Sequence, residues 1–156
     1  MAELSQAAGV ADSTIFYHFK TKEALFLAVL ENVRFGIIEK FNSYMADRTF
    51  ESGLSAVEGV MAFYLYTGEI CEDWFLLLNR KYPYQLAIEN PDCRGHLEAI
   101  FNNHVDIFEQ AIRKGQADGT IGEMPPRKTA IILFSLIDSF VRCKNHNLFE
   151  PGALYN

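Results

Sequence analysis

Cysteine is scarce in this chain and poorly spaced for chemistry. Only Cys71, Cys93 and Cys143 occur, an odd number with no CxxC pair and no Cys/His spacing that would hold zinc. A disulfide framework and a zinc site are thereby excluded, leaving free, mostly buried thiols in a reducing cytoplasm. A positive excess is also missing. Lys and Arg number 14 against 20 Asp and Glu, a formal net charge of −6, which excludes a protein whose whole surface grips nucleic acid. No uninterrupted apolar run reaches the roughly 20 residues of a membrane-spanning helix. The nearest, Ala130 to Ile137, is closed by Asp138 and Arg142. No signal-peptide pattern is visible, and no membrane partner is expected. Internal repeats, low-complexity segments and period-2 strand patterns are absent, so the expected fold class is all-α. No nucleophile has a nearby base, no loop is built for phosphate, and no acid–His–Cys cluster suggests a metal. The expectation is a chain that is not an enzyme, with no cofactor and no metal.

What is present is a globular chain rich in rings. Its 156 residues are 49% hydrophobic and 22% charged, enough for a sizeable core in one or two domains. The 13 Phe and 7 Tyr point to a bulky core, a ring-lined cavity, or both. The most informative stretch runs from Ala7 to Leu25. Ala7 and Ala8 favour helix, and Gly9 can take the left-handed conformation that ends one. Asp12 and Ser13 can cap a second, short aromatic helix, Thr14 to Phe19. Thr21 is placed to cap a third, with Glu23 in its first turn. Two helices joined by a short glycine turn form a helix-turn-helix, whose second helix reads the major groove of DNA.

Ala8-Gly9-Val10, Thr14-Ile15-Phe16-Tyr17-His18-Phe19 and Lys22-Glu23-Ala24-Leu25 resemble the DNA-binding signature of TetR-type transcriptional regulators. That pattern runs approximately A-G-V-S-x-G-T-L-Y-x-[HY]-F-x-x-K-E-x-L. About a dozen constrained positions at fixed spacing make it far more specific than a single short motif. A weaker string, Gly115 to Ile121, also matches. The resemblance implies a TetR-like architecture. A helix-turn-helix head and connecting helix would occupy residues 1–45, and a helical ligand-binding and dimerisation domain residues 46–156. It implies a homodimer that binds a palindromic operator in double-stranded DNA and is released, as a repressor, by a small-molecule inducer of unspecified identity. The family pattern places one more helix before the head and one more after the body; both are expected to lie outside these residues. The alternative is a ligand-binding and dimerisation module that has lost DNA binding.

Carried onto this sequence, the DNA-facing residues are Ser13, Thr14, Phe16, Tyr17, His18 and Lys22. The Thr14 hydroxyl, Tyr17 and His18 can donate to phosphate, and an aromatic edge can pack on a thymine methyl. Lys22 matches the family's phosphate-contacting lysine. Phe16 stands where tyrosine is usual and offers only apolar contact. Ala11 stands where a capping serine is usual, so capping is expected to shift to Asp12. Ile15 and Phe19 read as core. Within residues 1–22, Lys20 and Lys22 balance Glu3 and Asp12.

The body reads as successive helices. Leu25, Phe26, Val29, Leu30, Val33 and Ile37 form one stripe between Lys22 and about Ala46. After a polar break, Leu54 to Cys71 is helical. Glu72 to Leu78 follows around Trp74, ended by Asn79 to Tyr84 with Pro83 as breaker. Gln85 to Asn90 stays ambiguous. Pro91 opens a helix to about Lys114, with Gly115 as C-cap. Arg127 to about His146 is apolar on nearly every side, which implies burial against both its own body and a partner. Pro151-Gly152 then breaks the chain. Candidate ligand contacts are Phe63, Tyr64, Trp74, Phe101, His104, Phe108, Phe134 and Asp138. Core packing is the competing reading for each ring, and a hydrogen-bonded structural role for His104. Asp138 and Arg142 have the spacing of an ion pair.

Overall fold

The computed structural model describes residues 2–148, and the break expected at Pro151-Gly152 lies outside them. Among the described residues there are eight helices and no strand: α1 (Ala2–Ala8), α2 (Asp12–His18), α3 (Lys22–Asp47), α4 (Gly53–Ile70), α5 (Glu72–Leu78), α6 (Lys81–Glu89), α7 (Pro91–Asp118) and α8 (Pro126–Asn145). The fold is all-α.

Local chemistry sets the head. Gly9 takes φ 66°, and the turn it makes closes α1. Thr21 caps α3 by accepting the Ala24 N–H at 3.0 Å. The expected Asp12 cap does not form. Ala11 is the N-cap of α2 and supplies no side-chain bond. Asp12 is already helical and accepts the Ser5 hydroxyl instead, which ties α2 to α1. Ile15 is buried beneath this pair.

α3 then runs for 26 residues, about 39 Å at the usual helical rise, and carries the head into the body. Leu30, Val33, Ile37 and Phe41 are its buried residues. Val29, expected in that stripe, is exposed. α7 is the centre of the body and packs against α3, α4, α6 and α8. Its N-terminus is capped by Asn90, which accepts the Cys93 N–H at 2.9 Å.

Two expected boundaries move, each for a tertiary reason. Pro83 does not break the chain; it is buried in the first turn of α6, where a missing N–H costs nothing. Gln85 to Glu89 is therefore helical. Gly115 does not cap α7, which runs on to Asp118 and ends at Gly119 with φ 79°. Gly115 is needed where it is because α4 begins against it. A Cβ on Gly53 would lie 1.8 Å from the Gly115 nitrogen and 2.6 Å from the Ala111 carbonyl oxygen. The same junction is hydrogen-bonded: the Gly53 N–H donates to Asp118 at 2.7 Å and the Leu54 N–H to the Thr120 hydroxyl at 3.2 Å. The string from Gly115 to Ile121 is thus the seat of the α4 N-terminus.

In the single chain α8 buries one face and leaves apolar side chains outside. Ala130, Phe134, Ile137 and Val141 face inward, while Ile132 is 65% exposed and Leu136 49%.

The close crossing is testable. Gly53→Ala should lower stability by at least about 2 kcal/mol, because the new methyl meets backbone on both sides. Gly95→Ala, on an open face of α7 with nothing within 4 Å, should raise it by about 0.5–1 kcal/mol. Chemical denaturation of the two variants checks both signs.

Candidate functional site

Two places in the molecule gather polar and aromatic chemistry. The first is the outer face of the head. Ser13, Thr14, Phe16, Tyr17 and His18 are all exposed on α2, and Lys22 is exposed at the first residue of α3. Tyr17 is 75% exposed, unusual for a ring that had a core to join. It stands edge-on to His18, with ring centroids 5.2 Å apart, and Lys20 Nζ lies 5.7 Å from its ring. Ile15, on the opposite side of the same helix, is buried. α2 therefore presents donors and rings outward from a helix fixed from behind, with Lys20 and Lys22 just beyond its end. That is the arrangement a groove-reading helix needs.

The second place is a cavity of about 590 Å³ in the body, between α4, α5, α6, α7 and α8. Five rings line it, Tyr64, Phe75, Tyr84, Phe101 and Phe134, beside aliphatic and polar side chains. Asp138 is a half-buried acid of this wall, and Tyr64 Oη donates to it at 2.8 Å. Burial pushes the Asp138 carboxyl up, against the Tyr64 hydrogen bond and the Arg142 charge, which pull it down. Burial first, then the Asp138 charge, hold the Tyr64 phenol well above its ordinary value, so it remains the donor. The expected Asp138–Arg142 ion pair is not among the ion pairs of the described residues; Tyr64 takes its place.

Of the ligand candidates, Tyr64, Phe101, Phe134 and Asp138 come together in this cavity. The other four do not line it. Phe63 stacks on Tyr44 at 4.0 Å and borders an open outer groove beside α3. Trp74 packs on Gly36, where a Cβ would sit 2.4 Å from its ring. Phe108 is fully buried in the core. His104 lies behind the cavity wall. It is stacked on Phe134 at 5.1 Å, meets Phe41 and Tyr64 edge-on, and its Nδ1 lies 2.7 Å from the Ile100 carbonyl oxygen. Sequence reasoning missed Asn79 and Tyr84 as lining residues. The signal for Tyr84 was available: a proline in the first turn permits a helix.

Fold and geometry together give an all-α chain with a helix-turn-helix head on a helical body that holds a cavity of ligand size. The model of bacterial regulatory proteins of the tetR family matches residues 1–29, the helix-turn-helix head. No curated protein matches it. Its fold is similar to that of a transcriptional regulator, FadR from Bacillus subtilis, in a crystal structure in complex with stearoyl-CoA, at 19% identity and TM-score 0.66, over 94% of this chain and 76% of that one. It is similar as well to E. coli NemR in its reduced form, at 17% identity and TM-score 0.67, over 94% of this chain and 77% of that one.

His104 yields a pH prediction. Burial lowers its pKa from 6.5 to about 4, opposed by its bond to the Ile100 carbonyl. The unfolded chain therefore takes up this proton near pH 6.5 and the folded chain only near pH 4. The associated stability is fully present above pH 6.5, declines as the pH falls, and is gone below about 4. The amount is on the order of 3 kcal/mol. Denaturation between pH 7 and 4 should show this slope, and His104→Phe should flatten it.

Proposed function

We propose that the protein is a one-component, ligand-responsive repressor. It acts as a homodimer on a palindromic operator and is released when a small molecule enters the body cavity. The observation that carries this reading is the outward presentation of Thr14, Tyr17, His18 and Lys22 on a signature-bearing head. The exposed apolar residues of α8, Ile132 and Leu136 foremost, support a subunit interface. That FadR of the same fold holds stearoyl-CoA supports an effector with a substantial apolar part.

The contacts offer a route between the two sites. α6 contributes Tyr84 and Ala87 to the cavity, while its Tyr82 packs edge-on against Phe26 of α3 at 4.8 Å. At the start of α7, Asn90 donates to Glu23, one residue from Lys22, at 2.7 Å. A ligand that moves α6 therefore pulls on the head end of α3. Each tenfold loss of operator affinity requires about 1.4 kcal/mol of preference for the released shape.

Fluorescence anisotropy with a duplex from the gene's own upstream region tests DNA binding. Affinity should fall steeply with salt, because phosphate contacts release counterions. Tyr17→Ala should weaken binding by about tenfold, and Lys22→Ala should also reduce the salt slope by about one. Absence of salt-sensitive, sequence-selective binding would leave the module that has lost DNA binding as the reading. The interface is checked separately: Ile132→Glu combined with Leu136→Glu should convert a dimer to a monomer in light scattering.

A further inference from the structure

We propose that the cavity takes an amphipathic organic cation, with its positive group against Asp138 and its apolar part among the rings. This rests on the reading of the cavity as the effector site and gives that effector its charge.

Asp138 is a carboxylate on the inward side of α8, in a wall that is otherwise mostly apolar. A buried carboxylate is stable when a cation or several donors meet it. Here the only hydrogen bond made to it among the described residues is the Tyr64 hydroxyl, and no ion pair reaches it. Of the two cations of the wall, Arg94 is committed elsewhere. Arg94 pairs with Glu98 at 3.7 Å and donates to the Ala87 carbonyl at 3.1 Å. Arg142 is exposed, and its charge acts on Asp138 without an ion pair between them, so a contacting cation is still lacking among the described residues. The unmet demand of the interior is therefore for positive charge.

The walls favour the same ligand. Tyr64 meets Phe75 and Phe134 edge-to-face, at 5.4 and 5.7 Å, and Phe101 meets Phe134 likewise at 5.2 Å. Rings around a cavity hold cations by their negative faces as well as apolar groups by area. A fatty acid would gain the second term, but it would bring a second negative charge into the space Asp138 occupies. Asn79 adds a finer demand. Its side-chain Nδ2 is buried, lines the cavity and has no partner, so the preferred cation also carries an acceptor oxygen.

Isothermal titration of the full chain with three probes sharing one alkyl tail separates charge from apolar burial: decyltrimethylammonium, decanoate and 1-decanol, each below its aggregation concentration. Decyltrimethylammonium should bind at least about tenfold more tightly than decanoate, the worth of one buried charge pairing. Asp138→Asn keeps an acceptor for Tyr64 and should remove most of that preference while leaving decanol affinity nearly unchanged. Thermal melts report whether the variant is folded; if it is not, Asp138→Ser serves in the same comparison. Arg142→Gln should leave the order of the probes as it was. Equal binding of all three probes, or tighter binding of decanoate, would overturn the cationic assignment and leave the cavity as an effector site. No binding of any probe would overturn both.

Discussion

The body is organised around a neutral imidazole that has been taken out of water. His104 sits on the central helix, and its ring touches Phe41 of α3, Tyr64 of α4 and Phe134 of α8. Four helices therefore meet at one side chain. The contact is favourable only while the ring is uncharged, because burial there disfavours the protonated form. Its Nε2 finds no partner, an acceptor left dry at the centre of the packing. Tyr64 and Phe134 present their other sides to the cavity. The cavity wall is thus the far side of the core, and its shape is held by the same packing that holds the fold.

The head follows a different logic. Little buries it beyond Ser5 and Ile15, and its aromatic side chains face water. Local devices hold its geometry instead: a left-handed glycine, a threonine cap and a hydroxyl-to-carboxylate bond. Those devices are spelled in contiguous residues, so they are legible in sequence. Gly9 and Thr21 stand where the spacing places them, while α2 starts two residues early, at Asp12. The Asp12 cap was misread because its actual partner, Ser5, is on the preceding helix.

The body was legible only in outline. Periodicity finds α3, α4, α7 and α8, since each has an apolar stripe wide enough to show. It misplaces the end of α7 because Gly115 and Gly119 are equally able caps on local grounds. The choice between them is made by Gly53, far away in sequence, which needs Gly115 inside the helix. It also pairs Asp138 with Arg142, the neighbour one turn on, when the group that meets Asp138 is Tyr64 on another helix. The cavity's ring content was evident from composition, but which rings face it was not. Phe63, Trp74 and Phe108 have the same local pattern as Phe101 and Phe134, and tertiary packing alone separates them. Val29 belongs with these, a stripe residue left outside because α3 has no neighbour on that side at the head end.

Asn90 divides its amide between two tasks. The carbonyl oxygen caps α7, and the amide nitrogen reaches across to Glu23 beside the head. Asparagine suits both because it carries an acceptor and a donor on one short stem. Aspartate would cap the helix equally well, yet it would set a second carboxylate against Glu23. Serine would cap it and let go of α3. The position thus ties the start of the central helix to the first turn of α3 through one side chain. The two bonds are separable: losing the one to Glu23 would leave α7 capped.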